Sequence, residues 1–133
     1  MKRHVMASPA YAVMVMVFLS GCAPSVSVQS KQYLGGPVYP PTDPASVAIL
    51  REPPMRPHER IGEITLEPDD NAPVSMIEQK MQQAAAQMGA DAVVIVADRT
   101  MRMGAIISGP WYGREISPNL QRVIIAVAIK YTQ

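Results

Sequence analysis

The sequence predicts an α+β domain: a four-stranded, mostly antiparallel sheet in the order strand, strand, helix, strand, strand, with one helix packed on one face. Three observations predict it. Val74, Ile77, Met81, Ala84, Ala85 and Met88 recur at helical spacing, while Glu78, Gln79, Gln82, Gln83 and Gln87 lie off that stripe. Ala92–Ala97 and Val123–Tyr131 are apolar runs rich in β-branched residues, the composition of buried strands. Two shorter apolar runs precede the helix, divided by a proline-punctuated connection.

Taken in order, Ala45–Leu50 reads as the first strand and Arg60–Glu67 as the second, with Gly62 marking a bulge. Between them, Pro53, Pro54 and Pro57 lack the amide a sheet ladder needs. Ser75 and Glu78 have the spacing of a capping box, with Asn71 and Pro73 as a competing helix start. Gly89 supplies a left-handed stop, and the third strand begins immediately after it. Residues 99–120 then read as a 22-residue loop before the last strand, a length at which loops tend to be functional.

The chain ahead of this domain has a different character. Lys2 and Arg3 precede an apolar stretch from Val5 to Leu19, broken only by Ser8 and Pro9. That is short for a bilayer span and right for a signal-peptide core, so residues 1–21 are expected to be a signal peptide. The run Leu19-Ser20-Gly21-Cys22 resembles the bacterial lipobox, which implies that Cys22 is lipidated and becomes the mature N-terminus. A cleaved secretory signal with an incidental cysteine and an uncleaved anchor helix are the alternatives. Cys22 is the only cysteine, so once acylated it leaves no disulfide to staple the fold. Residues 22–46, with Gly35-Gly36-Pro37 and Tyr39-Pro40-Pro41, read as a flexible tether, and residues 47–133 as the folded domain.

Beyond the signal, ten basic and eleven acidic residues remain, a balance that disfavours a nucleic-acid partner. Catalysis finds little support. Ser75 or Ser108, His58 and Asp91 lack the surroundings of a nucleophile elbow, and Gly104, Gly109 and Gly113 open no phosphate-binding helix. Glu67, Asp69 and Asp70 are explained as a solvated turn ahead of a helix. Met101 and Met103, with His58 and Met55, offer a soft-metal reading, set against methionine's ordinary use as core filler. No cofactor is expected.

The blocks Val47-Ala48-Ile49-Leu50, Ile61-Gly62-Glu63-Ile64, the helix end running into Gly89-Ala90-Asp91-Ala92-Val93-Val94, and Ala126-Val127-Ala128-Ile129 resemble the domain of the Rcs-pathway sensor lipoprotein of enterobacteria and of other envelope lipoproteins. A more distant likeness is to the small heavy-metal-binding-type family, whose members form oligomers. The resemblance spans residues 45–131 and implies a non-enzymatic envelope lipoprotein. The cysteines that form the sensor's disulfides are absent from this chain. By analogy with enterobacterial sorting, Ala23 after the lipidated cysteine implies the outer membrane.

The expected work is therefore binding, to a protein partner or to a second copy, with a soft metal or small ligand as the alternative. Ile106, Ile107, Trp111, Tyr112 and Arg114 in the 99–120 segment are the contact candidates, because Trp, Tyr and Arg dominate binding hot spots. Folding back onto the core is the competing role for these side chains. A second candidate surface comes from the last two strands, whose residues are apolar on both faces. One helix covers one face only, so Val94, Val96, Ile124, Ala126 and Ala128 are expected to form an association face.

Overall fold

The computed structural model of the protein describes residues 21–133. The signal-peptide reading of residues 1–21 therefore falls almost wholly outside the described residues. Strands β1 (Val26–Gln32), β2 (Ala48–Leu50), β3 (His58–Pro68), β4 (Ala92–Ser108) and β5 (Glu115–Tyr131), with one helix, α1 (Val74–Gln87), make an α+β fold. The sheet has five strands rather than the four expected, in the order β1-β3-β5-β4-β2. It is mixed: β2 runs parallel to β4, and every other pairing is antiparallel.

The fifth strand comes from the stretch read as a tether. Val26 and Val28 alternate with Ser27 and Gln29, and β1 pairs with β3 from Val26↔Pro68 to Gln32↔Gly62. Its valines pack against the main core. The chain after β1 is held down as well. Thr42 donates its amide to the Ala86 carbonyl at 2.9 Å and its hydroxyl to the Ala90 carbonyl at 2.9 Å. Asp43 caps a 3₁₀ turn, Pro44–Ser46, that leads into β2. The sheet thus takes in chain some twenty residues before the expected domain boundary at Val47.

The helix begins at Val74 behind Pro73, with no side-chain cap, so the capping box of Ser75 and Glu78 does not form. It turns Ile77, Met81, Ala84, Ala85 and Met88 inward as the periodicity predicts, although Val74 is exposed. Met81 reaches Ile64, Leu66 and Val93 of the sheet through one continuous buried cluster. The alanines matter here, because short side chains let the helix lie close on the strands. Gly89 ends the helix at φ +78°, as expected of a left-handed stop. A Cβ at Gly89 would lie 2.5 Å from Tyr39 Cβ and 2.6 Å from the Pro40 carbonyl, so the glycine also admits the incoming chain. At Gly62 the register of β3 slips by one residue, which is the bulge predicted there.

Candidate interaction surface

Residues 99–120, expected as a loop, are mostly strand. β4 and β5 stay paired from Ala92↔Ile129 out to Ser108↔Glu115. Their neighbours stop much earlier: β3 leaves β5 at Leu66↔Ile124, and β2 leaves β4 at Leu50↔Val94. Beyond those points the two strands continue alone as a hairpin arm, closed by residues 109–114. Gly109 takes φ +95° at the turn, and the Gly113 amide donates to the Pro110 carbonyl at 3.0 Å. Two register shifts, at Ile95/Ala97 and at Arg102/Gly104, interrupt the ladder; such bulges bend and twist a ribbon.

Polar side chains fix the arm's base. Arg122 grips Asp98 through two nitrogens, at 2.8 and 2.6 Å, and Gln121 donates to Glu67 at 3.1 Å. The Arg122 guanidinium holds the Asp98 carboxyl below the usual carboxylate range, with partial burial opposing it. Beside the base lies an open groove of about 520 Å³, bordered by Asp69, Asp70, Thr100, Leu120 and Arg122.

Farther out, apolar side chains are bare. Ile106, Ile107, Ile116 and Met103 are all more than half exposed, and Trp111 and Tyr112 at the turn are 82% and 78% exposed. The two rings meet edge to face, 5.7 Å apart, so they stack on each other and not on the core. Arg114 is exposed beside them. The contact candidates named from the sequence are thus solvent-exposed, but they stand on a strand arm and not on a loop.

The association face needs a correction. Ile124, Ala126 and Ala128 lie beneath the helix, buried in the main core with Val93. The register explains it: Val93 sits opposite Ala128 and Ile95 opposite Ala126, and residues directly opposite share a face. Val94 faces the other way, with Ala92 and Ile129, and Leu50, Val127 and Tyr131 pack around them. The connection between β2 and β3 partly covers this second face. Arg56 stacks its guanidinium 4.4 Å above the Tyr131 ring, and Thr132 donates to the Pro57 carbonyl at 3.1 Å. A cavity of about 80 Å³ remains, lined by Pro53, His58, Arg60, Val94, Val96, Val127 and Ile129, with Val96 exposed at its edge.

The soft-metal residues do not converge. His58 lies opposite Tyr131 at one end of β5, whereas Met101 lies opposite Gln121, ten residues along the same strand. At about 3.3 Å per residue that is roughly 33 Å. Met103 lies farther out still, on the arm. Among the described residues, no three His, Cys, Asp or Glu side chains cluster to hold a metal ion. The serine–histidine–aspartate set is also dispersed. Ser108 sits at the arm's end and Ser75 in the first turn of α1. His58 Nδ1 lies 2.8 Å from the Arg56 carbonyl, and Asp91 binds Lys130 at 2.8 Å and the Tyr131 amide at 3.0 Å. Glu67 and Asp69 are likewise taken up by protein donors. Cys22 is exposed, three residues ahead of Ser25.

No protein-family model matches the chain, and no curated protein is similar to it. Among solved structures, the chain is similar to a crystal structure of a Francisella virulence factor, FvfA. The TM-score is 0.48 and the sequence identity 13%, over 78% of this chain and 97% of that one.

Proposed function

We propose that the protein is a non-enzymatic, lipid-anchored protein of the bacterial envelope that works by contact, through the β4–β5 arm. The observation that carries this reading is the arm itself. An isolated two-stranded ribbon is marginal in water, and a hairpin with bare isoleucines, an aromatic tip and two unpaired edges needs another surface to rest on. Acylation of Cys22 supplies the membrane attachment, and Ala23 beside it favours the outer membrane. The resemblance to the Rcs-type sensor domain points in the same direction. A soft-metal role has lost its geometric basis at His58, Met101 and Met103.

Photo-crosslinking tests the reading. A crosslinking side chain in place of Tyr112 should form adducts in intact cells, while one in place of exposed Gln79 on the helix should form few. Equal yields from both positions would remove the arm from its role. Metabolic labelling with a palmitate analogue should mark the wild type and not Cys22→Ser; equal labelling would remove the anchor.

A further inference from the structure

We propose that the arm's partner is the lipid surface itself: the hairpin lies in the headgroup layer beside the lipidated cysteine, as a second membrane contact. This deepens the function proposed above and rests on its reading of Cys22. The geometry starts at Ser25. Its amide and hydroxyl donate to the Asp69 carboxylate at 2.9 and 2.6 Å, and the Asp69 amide returns to the Ser25 carbonyl at 3.0 Å. Those bonds pin the chain at the end of the sheet where β1 begins and β3 finishes, Val26 opposite Pro68. Only Ala23 and Pro24 separate Ser25 from Cys22, so the acyl chains start within about 10 Å of that end.

The arm leaves the sheet from the same end. Leu66 is opposite Ile124, so β5 residues below about 122 lie past the end of β3. From Gln121 to Glu115 the strand runs on for six residues, about 20 Å, before the turn. Cys22 lies within about 10 Å of Ser25, and β5 stands two strand spacings, about 10 Å, from β1, so a membrane at Cys22 is within reach of a projection about 20 Å long. The flexible tether expected from the sequence would have allowed a greater distance; β1 removes that slack.

The arm's chemistry fits a lipid surface. Trp and Tyr favour the membrane–water interface, and Trp111 and Tyr112 stand at the tip. With Arg122 and Asp98 paired at the base, Arg99, Arg102 and Arg114 outnumber Glu115 along the arm, a balance that favours anionic headgroups there, while Asp69 and Asp70 beside the base oppose it. Its depth is limited by the backbone. Both edges carry unpaired amides and carbonyls, which the hydrocarbon core cannot satisfy, so the ribbon stays at the interface. The acyl chains of a lipobox cysteine hold stably by themselves, so what the added interfacial contact supplies is the domain's orientation on the membrane.

Trp111 is the chain's only tryptophan, so its emission reports on the arm alone. The protein with its native anchor is reconstituted in vesicles of phosphatidylethanolamine and phosphatidylglycerol, with acylation of Cys22 checked by mass. The chain from Ala23, which carries every described strand and the core, is mixed with the same vesicles. Trp111 emission should move to shorter wavelength, respond to lipids brominated near the headgroup, and lose access to iodide. Ile107→Asp should weaken vesicle binding of the Ala23 chain about tenfold or more. Loss of acylation would fail the anchor while leaving the arm to be judged on the Ala23 chain. Unchanged emission and full iodide access in both proteins would overturn the proposal. So would shielding of Trp111 that grows with protein concentration in the absence of lipid, which would assign the arm to a second copy of the chain.

Discussion

Ser25 and Asp69 clasp each other through three hydrogen bonds, two from Ser25 to the Asp69 carboxylate and one from the Asp69 amide back to Ser25. The clasp joins the residue just ahead of β1 to the turn before the helix, and it sets how far the domain stands from Cys22. The Ser25 hydroxyl, then its amide, lowers the Asp69 pKa from the usual value, against a smaller effect of burial. Asp69→Ala should free the start of β1 without unfolding the sheet. Limited trypsin digestion at Lys31 should then run several-fold faster than in the wild type. An unchanged rate would show that the β1–β3 ladder alone holds the strand.

Gly89→Ala should destabilise the domain by roughly 2–4 kcal/mol, measured by denaturant melting. Two effects add. The residue sits at φ +78°, and a Cβ there meets Tyr39 Cβ at 2.5 Å and the Pro40 carbonyl at 2.6 Å. Tyr39→Gly, which removes the Tyr39 Cβ that alanine would keep, would relieve only the first of these contacts, because the second is with backbone. In a Tyr39→Gly background the cost of Gly89→Ala should therefore shrink but persist; its complete disappearance would mean that the backbone contact and the strain at φ +78° cost nothing.

The helix, its glycine stop and the bulge at Gly62 were legible because each is a local pattern. Periodicity places Met81 inward, and a glycine after an amphipathic run ends it. The alternation of Val26 and Val28 was equally local, but the prolines and glycines that follow masked it as a tether. What could not be read was register. Each strand's two faces are evident from parity, yet which face of β4 matches which face of β5 depends on Val93 sitting opposite Ala128. Counting inward from the turn, the register shifts at Arg102/Gly104 and Ile95/Ala97 break the alternation before that pair is reached. Trp111 and Tyr112 stand out in the sequence because a lone tryptophan beside a tyrosine is a matter of composition and not of pairing.

Asp91 ties the turn before β4 to the last strand, and acid should loosen it. Partial burial raises its pKa, but the Lys130 ammonium and the Tyr131 amide outweigh that and leave it below the usual value. A carboxylate lowered on folding contributes stability that is fully present above the unfolded pKa, about 4, and is lost as pH falls toward the folded value. Removing the charge with Asp91→Asn should cost about 1–2 kcal/mol at neutral pH, moderated by the pair's exposure. As pH falls below the folded value the variant and wild type should converge. Melting curves across that range check it, and a gap that persists in acid would assign the effect to packing.

Ala126→Glu and Val96→Glu separate the two faces of the sheet. Ala126 is fully buried beneath α1, and Val96 is 57% exposed on the opposite face. Among the described residues no polar or charged side chain is buried. A glutamate at Ala126 would therefore enter a site with no partner, at a cost of several kcal/mol. That is comparable with the whole stability of a small domain, typically about 5–15 kcal/mol. The Ala126→Glu chain should be unfolded or molten by circular dichroism at room temperature. Val96→Glu should fold and melt within about 1 kcal/mol of the wild type, as exposed substitutions do. A folded Ala126→Glu monomer would return Ala126 to an outer surface and would require α1 to cover the other face.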